Sequence, residues 1–241
     1  MNLPEDKAIS VCIATYNGER YIFRQLQSII EQLTHEDEII ISDDSSTDNT
    51  LSIIRSLNDP RIKIFPNQLF KNPIYNFENS IKLAKNDLIF LSDQDDLWLS
   101  GRVKAMKKEL LKSDVVVCDH SVIDENDETI LESYFNVIPS GSGLIKNLKK
   151  NTYYGCCMAF HKKILKKAIP FPKDIPMHDI WLGFVGDLFF KTSFVDFPYT
   201  KYRKHNANVS NASDLVSDFS LLKKLRFRLN IIKYIPILLI R

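Results

Sequence analysis

Three carboxylates stand close together directly behind an apolar run of the chain. In the stretch FLSDQDDLW they belong to Asp93, Asp95 and Asp96. Negative charges this close raise one another's pKa values and cost stability unless a positive group offsets them. Mg²⁺ or Mn²⁺ would do so, since these ions bind through one or two carboxylates together with the phosphates of a ligand. The cluster therefore predicts a divalent cation that joins carboxylates to phosphate.

Two further polar clusters follow apolar runs in the first half of the chain. One consists of Thr15, Tyr16 and Asn17, and the other consists of Asp43 and Asp44. Residues of these types bind ligands, but they also form turns and cap helices. For Asp43 and Asp44 taken alone, a structural role is an equally good interpretation. The functional interpretation depends on where the fold places them.

Alternating strands and helices would bring these clusters together. The predicted strands are AISVCIAT, DEIIISDD, RIKIFPN and DLIFLSD, and the predicted helices are YNGERYIFRQLQSIIEQL, SSTDNTLSIIRSL and NPIYNFENSIKLAK. Three strand–helix units in series predict an α/β fold with a mostly parallel central sheet flanked by helices. Because such sheets bind ligands beyond the carboxyl ends of their strands, we expect the three polar clusters to face one crevice.

The glycine pattern limits what this crevice could bind. The chain has only seven glycines, and its first strand–helix turn, TYNGER, contains neither GxGxxG nor GxxxxGK[ST]. Those two patterns hold dinucleotides and nucleotide phosphates through backbone N–H groups. Phosphate in this crevice must be neutralised in another way, which agrees with a cation held by carboxylates.

The composition is typical of an ordered globular protein. The 241 residues are 44% hydrophobic, and the formal net charge is only +2, so nothing indicates a nucleic-acid partner. The four cysteines form no CxxC pair and are predicted to be buried, reduced thiols. The start resembles no signal peptide, and no run reaches the roughly 20 apolar residues of a membrane span, so the cytoplasm is the expected compartment.

Three motifs carry a resemblance to a known family. TYNGERY, SDDSSTDNT and SDQDDLW, each after a predicted strand, resemble the family 2 nucleotide-sugar glycosyltransferases of the GT-A fold. The likeness is greatest to bacterial rhamnosyl- and hexosyltransferases that build O-antigen, capsule or other surface polysaccharides. It runs from Ala8 to about Arg102, with weaker traces to about residue 212. It implies one domain over residues 1–212, with a nucleotide-sugar half (1–102) and an acceptor half (103–212).

The resemblance also implies roles for individual residues. Those implied for the nucleotide-sugar are Thr15, Tyr16, Asn17, Asp43, Asp44, Asp93 and Arg203, and those implied for Mn²⁺ or Mg²⁺ are Asp95, Asp96 and His205. The metal ligands stay open between a DxD motif, Asp93 with Asp95, and the adjacent pair Asp95 and Asp96. Arg203 and His205 lie in YTKYRKHNANVSN, which resembles a family loop that folds over the donor and stabilises the leaving group.

The catalytic base is implied in the second half of the chain. Family members carry an Asp in an acidic pair before an apolar helix, and here the pair is His178 and Asp179. Asp179 would take the proton from the acceptor hydroxyl as it attacks the anomeric carbon. His178 as the base is the less favoured assignment, and a helix N-cap is the structural alternative for Asp179. One base and one metal suffice for direct displacement with inversion.

Three further features have structural interpretations. Trp98 is expected in the core or in a pocket wall, and Arg102 is expected on the solvated face of a helix rather than on a phosphate. The segment from Ile123 to Lys150, which contains IDENDETI and PSGSG, is predicted to be a surface excursion.

The C-terminal segment, residues 213–241, is predicted to be a basic amphipathic helix. After Asp218 it contains six Lys or Arg residues and no Asp or Glu, interleaved with Leu, Ile and Phe. Such a helix can lie in an anionic membrane surface, or it can pack on its own domain with a solvated basic face. The membrane interpretation would place the enzyme on the inner face of the cytoplasmic membrane, with a polyprenyl-diphosphate-linked saccharide as acceptor.

Two other functions remain as alternatives. A nucleotidyltransferase that makes sugar nucleotides shares the architecture and the metal, but it requires a Gly-rich, basic loop after the first strand. A non-catalytic nucleotide-binding or phosphoacceptor module would account for Asp43 and Asp44 at a strand end. The second acidic cluster and the length of the chain count against it.

Overall fold

A computed structural model describes residues 7–206 and 220–240, and within them nine strands form one sheet. The strands are β1 (Ile9–Thr15), β2 (Glu38–Asp43), β3 (Ile62–Phe65), β4 (Leu88–Ser92), β5 (Leu97–Trp98), β6 (Val115–Ile123), β7 (Thr129–Leu131), β8 (Met158–His161) and β9 (Thr192–Arg203). The helices are α1 (Ile22–Ile30), α2 (Thr50–Ser56), α3 (Pro73–Leu83), α4 (Arg102–Glu109), α5 (Leu144–Lys149), α6 (Leu165–Ala168), α7 (His178–Phe189), α8 (Leu221–Ile232) and α9 (Ile235–Ile240).

The first half of the sheet is parallel, as predicted. β1 pairs with both β2 and β4, and β2 pairs with β3, all in parallel. β1, β2 and β4 are buried almost throughout because α1, α2 and α3 connect them and cover the sheet. The helix α3 begins with Pro73 in its first turn, and the side chain of Asn72 accepts from the N–H of Ile74. The carboxyl ends of β1, β2 and β4 consequently meet at one edge.

The second half of the sheet mixes antiparallel and parallel pairing. β8 lies antiparallel between β4 and β6, and β6 runs parallel to β9 in the order β3-β2-β1-β4-β8-β6-β9-β5, while β7 pairs with β6 alone. Ile123 at the end of β6 stands opposite Arg203 at the end of β9. This pairing carries the end of β9 to the acidic loop that follows β4.

Two residues between β4 and α4 test the prediction of the core. Trp98 is buried, as predicted. The solvated position predicted for Arg102 is wrong, because its side chain is completely buried. Its guanidinium lies 4.0 Å from the centre of the Trp98 ring and donates hydrogen bonds to Thr200 Oγ1 and to the carbonyls of Leu91 and Cys156. Hydrogen bonds to acceptors from three other segments offset the cost of burying this permanent charge. The cysteines are all buried and unpaired, as predicted.

The C-terminal segment forms two helices, α8 and α9, where one was predicted, and residues 213–219 lie outside the described part. One face of α8 packs on the domain, since Arg228 donates to the carbonyl of Leu148 and Asn230 donates to the carbonyl of Asp174. Ile231 is buried in the same contact. Among the described residues, no helix combines the length and the hydropathy that crossing a bilayer requires.

Candidate functional site

A cleft of about 1140 Å³ lies at the carboxyl ends of β1, β2 and β4. The predicted site residues that line it are Thr15, Tyr16, Asn17, Asp44, Asp93, Asp95, Asp179 and His205. Three other predicted residues, Asp43, Asp96 and Arg203, do not line it. The topology therefore brings most of the expected residues to one place and sets three of them behind its wall.

Asp43 holds the turn that follows β2. Its carboxylate accepts hydrogen bonds from Thr15 Oγ1 at 2.9 Å and from the Ser46 N–H at 2.9 Å, and the Ser46 hydroxyl donates to it as well. Its oxygens are occupied by the protein, which agrees with the structural interpretation of this residue. Asp44 lines the cleft, although it also accepts from the Phe70 N–H at 2.7 Å.

The loop after β1 is joined to both neighbouring loops. Asn17 has a left-handed backbone (φ 49°), and its side-chain oxygen accepts from the Thr47 N–H at 2.8 Å. Gln94 makes two hydrogen bonds with the backbone of Tyr16, accepting from its N–H at 2.9 Å and donating to its carbonyl at 3.1 Å. A side chain on Gly18 would collide with Gln94, since its Cβ would lie 2.5 Å from Gln94 Oε1. This role of Gln94 was not predicted, although the residue stands inside the SDQDD motif.

The three clustered carboxylates have different surroundings. Asp93 and Asp95 face the cleft, whereas Asp96 is completely buried and accepts a hydrogen bond from the Arg203 N–H at 2.9 Å. Burial raises the pKa of Asp93 well above its usual value, and the charges of Asp96 and Asp95 raise it further. Oxygens of Asp93 and Asp96 and the sulfur of Cys156 lie within 4.8 Å of one another. The cluster thus holds negative charge that the surrounding protein does not fully offset.

Asp95 and His205 meet across the cleft from positions 110 residues apart. Asp95 Oδ2 lies 2.9 Å from His205 Nε2, and the imidazole stacks on the ring of Tyr21 at 5.1 Å. The guanidinium of Arg203 lies 4.6 Å from the centre of the same ring. Carboxylate oxygens suit Mn²⁺ and Mg²⁺, and His205 places a ring nitrogen beside those of Asp95. The residues present here therefore fit the predicted cation.

Arg203 ties the acidic loop to the segment between β6 and β7. Its side chain is only 2% exposed and donates to the carbonyls of Asp95 at 2.9 Å and Asp124 at 3.0 Å. It also forms an ion pair with Asp127 at 2.6 Å. This segment lies within residues 123–150, the predicted surface excursion, and no local pattern in it indicates the contact with Arg203 or the place of Glu125 in the cleft wall.

Asp179 lies in the first turn of α7 and faces the cleft. The N-cap of α7 is Met177, so the N-cap alternative for Asp179 is wrong. Its carboxylate accepts from the Gly155 N–H at 3.1 Å, and burial raises its pKa to about 6. Burial lowers the pKa of His178 to about 3. A carboxylate that titrates just below neutral pH suits a general base, which favours Asp179 over His178 for this role.

Comparison with known proteins gives the family. The model for glycosyl transferase family 2 matches residues 10–169. The chain belongs to this family. A dTDP-rhamnosyl transferase, RfbG, of Shigella flexneri is 32% identical over 221 residues, which cover 83% of this chain and 74% of the relative. The Escherichia coli UDP-Glc:alpha-D-GlcNAc-diphosphoundecaprenol beta-1,3-glucosyltransferase WfgD is 25% identical over 209 residues, covering 86% of this chain and 81% of the relative.

Solved structures confirm the predicted GT-A fold for this family 2 member. The chain superposes on S. aureus TarS 1-349 in complex with UDP-GlcNAc with a TM-score of 0.68 and 21% identity, covering 93% of this chain and 71% of that one. It also superposes on the mannosyltransferase PcManGT of Pyrobaculum calidifontis, solved with GDP-Man and Mn²⁺, with a TM-score of 0.58 and 19% identity, covering 79% and 54%. Family membership identifies the chain as a glycosyltransferase, so the two alternative functions are set aside.

Proposed function

We propose that this glycosyltransferase moves a sugar from a UDP- or dTDP-sugar to a saccharide hydroxyl with inversion, in the synthesis of a bacterial surface polysaccharide. The observation that carries the proposal is one cleft into which Asp95, His205 and Asp179 all project. The names of WfgD and RfbG support the donor classes, and the name of WfgD supports an acceptor linked to a polyprenyl diphosphate.

Asp93, Asp95 and His205 are the proposed ligands of Mn²⁺ or Mg²⁺. Asp93 and Asp95 line the cleft and Asp96 does not, which favours the DxD interpretation over the adjacent pair. A bound cation would neutralise the negative charge that develops on the nucleoside diphosphate as it leaves. Asp96 instead accepts from the backbone of Arg203 and so fixes the end of β9 against the acidic loop.

Asp179 is the proposed general base. Its carboxylate is ionised above about pH 6 and accepts the proton of the acceptor hydroxyl while that oxygen attacks the anomeric carbon. No second carboxylate is needed as a nucleophile in a single displacement, and this is the reason for expecting inversion. The Gly155 N–H holds the Asp179 side chain in place at 3.1 Å.

The donor site is tested by thermal unfolding with UDP, dTDP, GDP and CDP, each with and without Mn²⁺. We expect one nucleotide to raise the melting temperature only when Mn²⁺ is present, since a ligand at 100 times its Kd adds about 2.7 kcal/mol. Asp95→Asn should abolish this increase. Asp196→Asn, the same change at an exposed position, should keep it. An absence of stabilisation by every nucleotide in the wild type would contradict the proposal.

We also propose that α8 lies on an anionic membrane surface. The side chains Leu222, Leu225, Leu229 and Ile232 are exposed and recur at helical spacing, so they form an apolar stripe opposite the packed face of α8. Exposed Arg226 adjoins the stripe, and residues 219–241 contain no Asp or Glu. A helix with these two properties partitions into the interface of anionic lipids.

The membrane proposal is tested by co-sedimentation with phosphatidylglycerol vesicles and with neutral phosphatidylcholine vesicles. We expect binding to the anionic vesicles, weakened about tenfold or more in the double variant Leu225→Ser, Leu229→Ser, because two apolar side chains no longer enter the bilayer. Leu111→Ser, at another exposed leucine, should bind as the wild type does. Wild-type protein that stays in solution with both lipids would overturn the idea.

A further inference from the structure

His178 forms part of the cleft wall beside the proposed base. Its side chain is almost completely buried, with 5% exposure, and its ring stacks on Phe77 with 4.0 Å between centroids and 22° between planes. Within the described residues, neither Nδ1 nor Nε2 has a hydrogen-bond partner. Gly155 leaves room for this ring, since a Cβ there would lie 2.7 Å from His178 Nε2. The imidazole is thus fixed by packing alone, with its polar atoms unused.

The chemistry of this ring is that of a hydrogen-bonding group rather than a charge. Burial lowers its pKa to about 3, so at neutral pH it carries one N–H donor and one nitrogen acceptor. Buried polar atoms without partners cost stability, and at the wall of a cleft a bound ligand is one group that can complete them. A sugar hydroxyl both donates and accepts, so it matches a neutral imidazole better than a phosphate does.

We propose that His178 hydrogen-bonds a ring hydroxyl of a sugar substrate next to Asp179 and thereby selects the saccharide that the enzyme accepts. This inference rests on the proposed function, since it requires a sugar in the cleft. The hydroxyl belongs either to the donor sugar or to the acceptor sugar, and the two sources are separated by experiment. His178 acts here as a specificity-determining residue and takes no proton from the substrate.

His120 provides an internal comparison. It is also completely buried, with both ring nitrogens unpartnered, and it stacks on Tyr134 at 4.7 Å. Burial lowers its pKa to about 3 as well. Unlike His178, it does not line the cleft. Because His178 lines the cleft and His120 does not, only His178 is expected to contact a ligand. His120 therefore provides a matched control.

The test compares His178→Phe, which keeps the stacked ring and removes both nitrogens, with His178→Asn and His120→Phe. Calorimetric titration with Mn²⁺ present gives the Kd of UDP, UDP-glucose and dTDP-rhamnose, and initial rates give the KM of a synthetic GlcNAc-diphosphate lipid. The thermal midpoint of each variant without ligand verifies its fold. Loss of one neutral hydrogen bond weakens binding about 2- to 13-fold.

If the hydroxyl belongs to the donor sugar, His178→Phe weakens the binding of the sugar nucleotide by that factor and leaves the Kd of UDP unchanged. If the hydroxyl belongs to the acceptor sugar, the Kd of the sugar nucleotide stays at its wild-type value and the KM of the lipid acceptor rises by a similar factor. His178→Asn, which keeps a donor and an acceptor, should recover part of the loss, and His120→Phe should match the wild type in both assays. A folded His178→Phe variant with wild-type constants in both assays would overturn this inference alone, whereas a wild type that binds no sugar nucleotide would overturn the proposed function with it.

Discussion

The two sides of the cleft are built in different ways. On the side of β1, β2 and β4, polar residues bond mainly to each other, as Asp43 does with Thr15 and Gln94 does with Tyr16. On the opposite side, Asp179 and His178 line the cleft and are held by packing and by a few backbone contacts, and the ring nitrogens of His178 have no hydrogen-bond partner among the described residues.

The carboxylates that hold loops in place are therefore different from those that can exchange a proton with a substrate. A carboxylate that accepts several hydrogen bonds from the protein, as Asp43 does, can hold a loop and has little capacity left for a substrate. A buried carboxylate with few donors has a raised pKa and can accept a proton, at some cost in stability. On the proposed function, the first side shapes the nucleotide-sugar site and carries the acidic cluster of Asp93 and Asp95, and the second side carries the proposed base, Asp179.

Asp179→Asn should have the largest effect of these substitutions, because it removes the proposed base. Without the base, we expect the rate of transfer to fall about 10²- to 10⁴-fold while the nucleotide stays bound. The free energy of unfolding at pH 7.5 should rise by on the order of 1–3 kcal/mol, because burying the ionised Asp179 costs stability at every pH above its folded pKa of about 6. Rate assays and urea unfolding give the two values, and a variant with more than a tenth of the wild-type rate would remove Asp179 from the mechanism.

Arg203→Met breaks the connection between the acidic loop, on the first side, and the segment between β6 and β7. Its removal leaves the Asp127 carboxylate without a buried cation and two carbonyls without their donor, so we expect a loss of about 3–5 kcal/mol in urea unfolding. Arg24→Met is the matched control, since it removes an exposed ion pair with the same Asp127 and should cost less than about 1 kcal/mol. Equal losses of unfolding free energy in the two variants would show that the burial of Arg203 does not account for its contribution to stability.

The pH profile sharpens the assignment of the base. Protonated Asp179 cannot accept a proton, so kcat/KM should fall about tenfold per pH unit below about 6 and stay level above it. Protonation of a metal ligand would also reduce the rate in acid, but that limb should move to lower pH as the Mn²⁺ concentration rises. A limb that moves with Mn²⁺ would point to the acidic cluster instead of Asp179.

Gln94→Ala tests the side that provides shape and should have the smallest effect. It removes two hydrogen bonds to the backbone of Tyr16 near solvent, so we expect a loss of about 1–2 kcal/mol in urea unfolding and a few-fold weaker nucleotide binding. Gln27→Ala, at an exposed position of α1, should change neither value. A loss of binding as large as that of Asp95→Asn would mean that Gln94 contacts the ligand itself.

The sequence by itself determined the parallel half of the sheet and the motifs at its edge. Buried strands show as continuous apolar runs, and the carboxyl ends of consecutive parallel strands must lie together, so local patterns suffice to bring Thr15, Asp44 and Asp93 to one cleft. The family motifs lie in these same loops.

Only the tertiary structure decided which carboxylates face the cleft and what meets them. The contact of His205 with Asp95 depends on β9 lying beside β6, a pairing between segments that no local pattern specifies. Arg102 was predicted in solvent because its charge is usually hydrated, yet it is buried since Thr200 and two distant carbonyls accept its hydrogen bonds. Residue type gives the cost of burying a group, and only the assembled fold shows whether partners offset that cost.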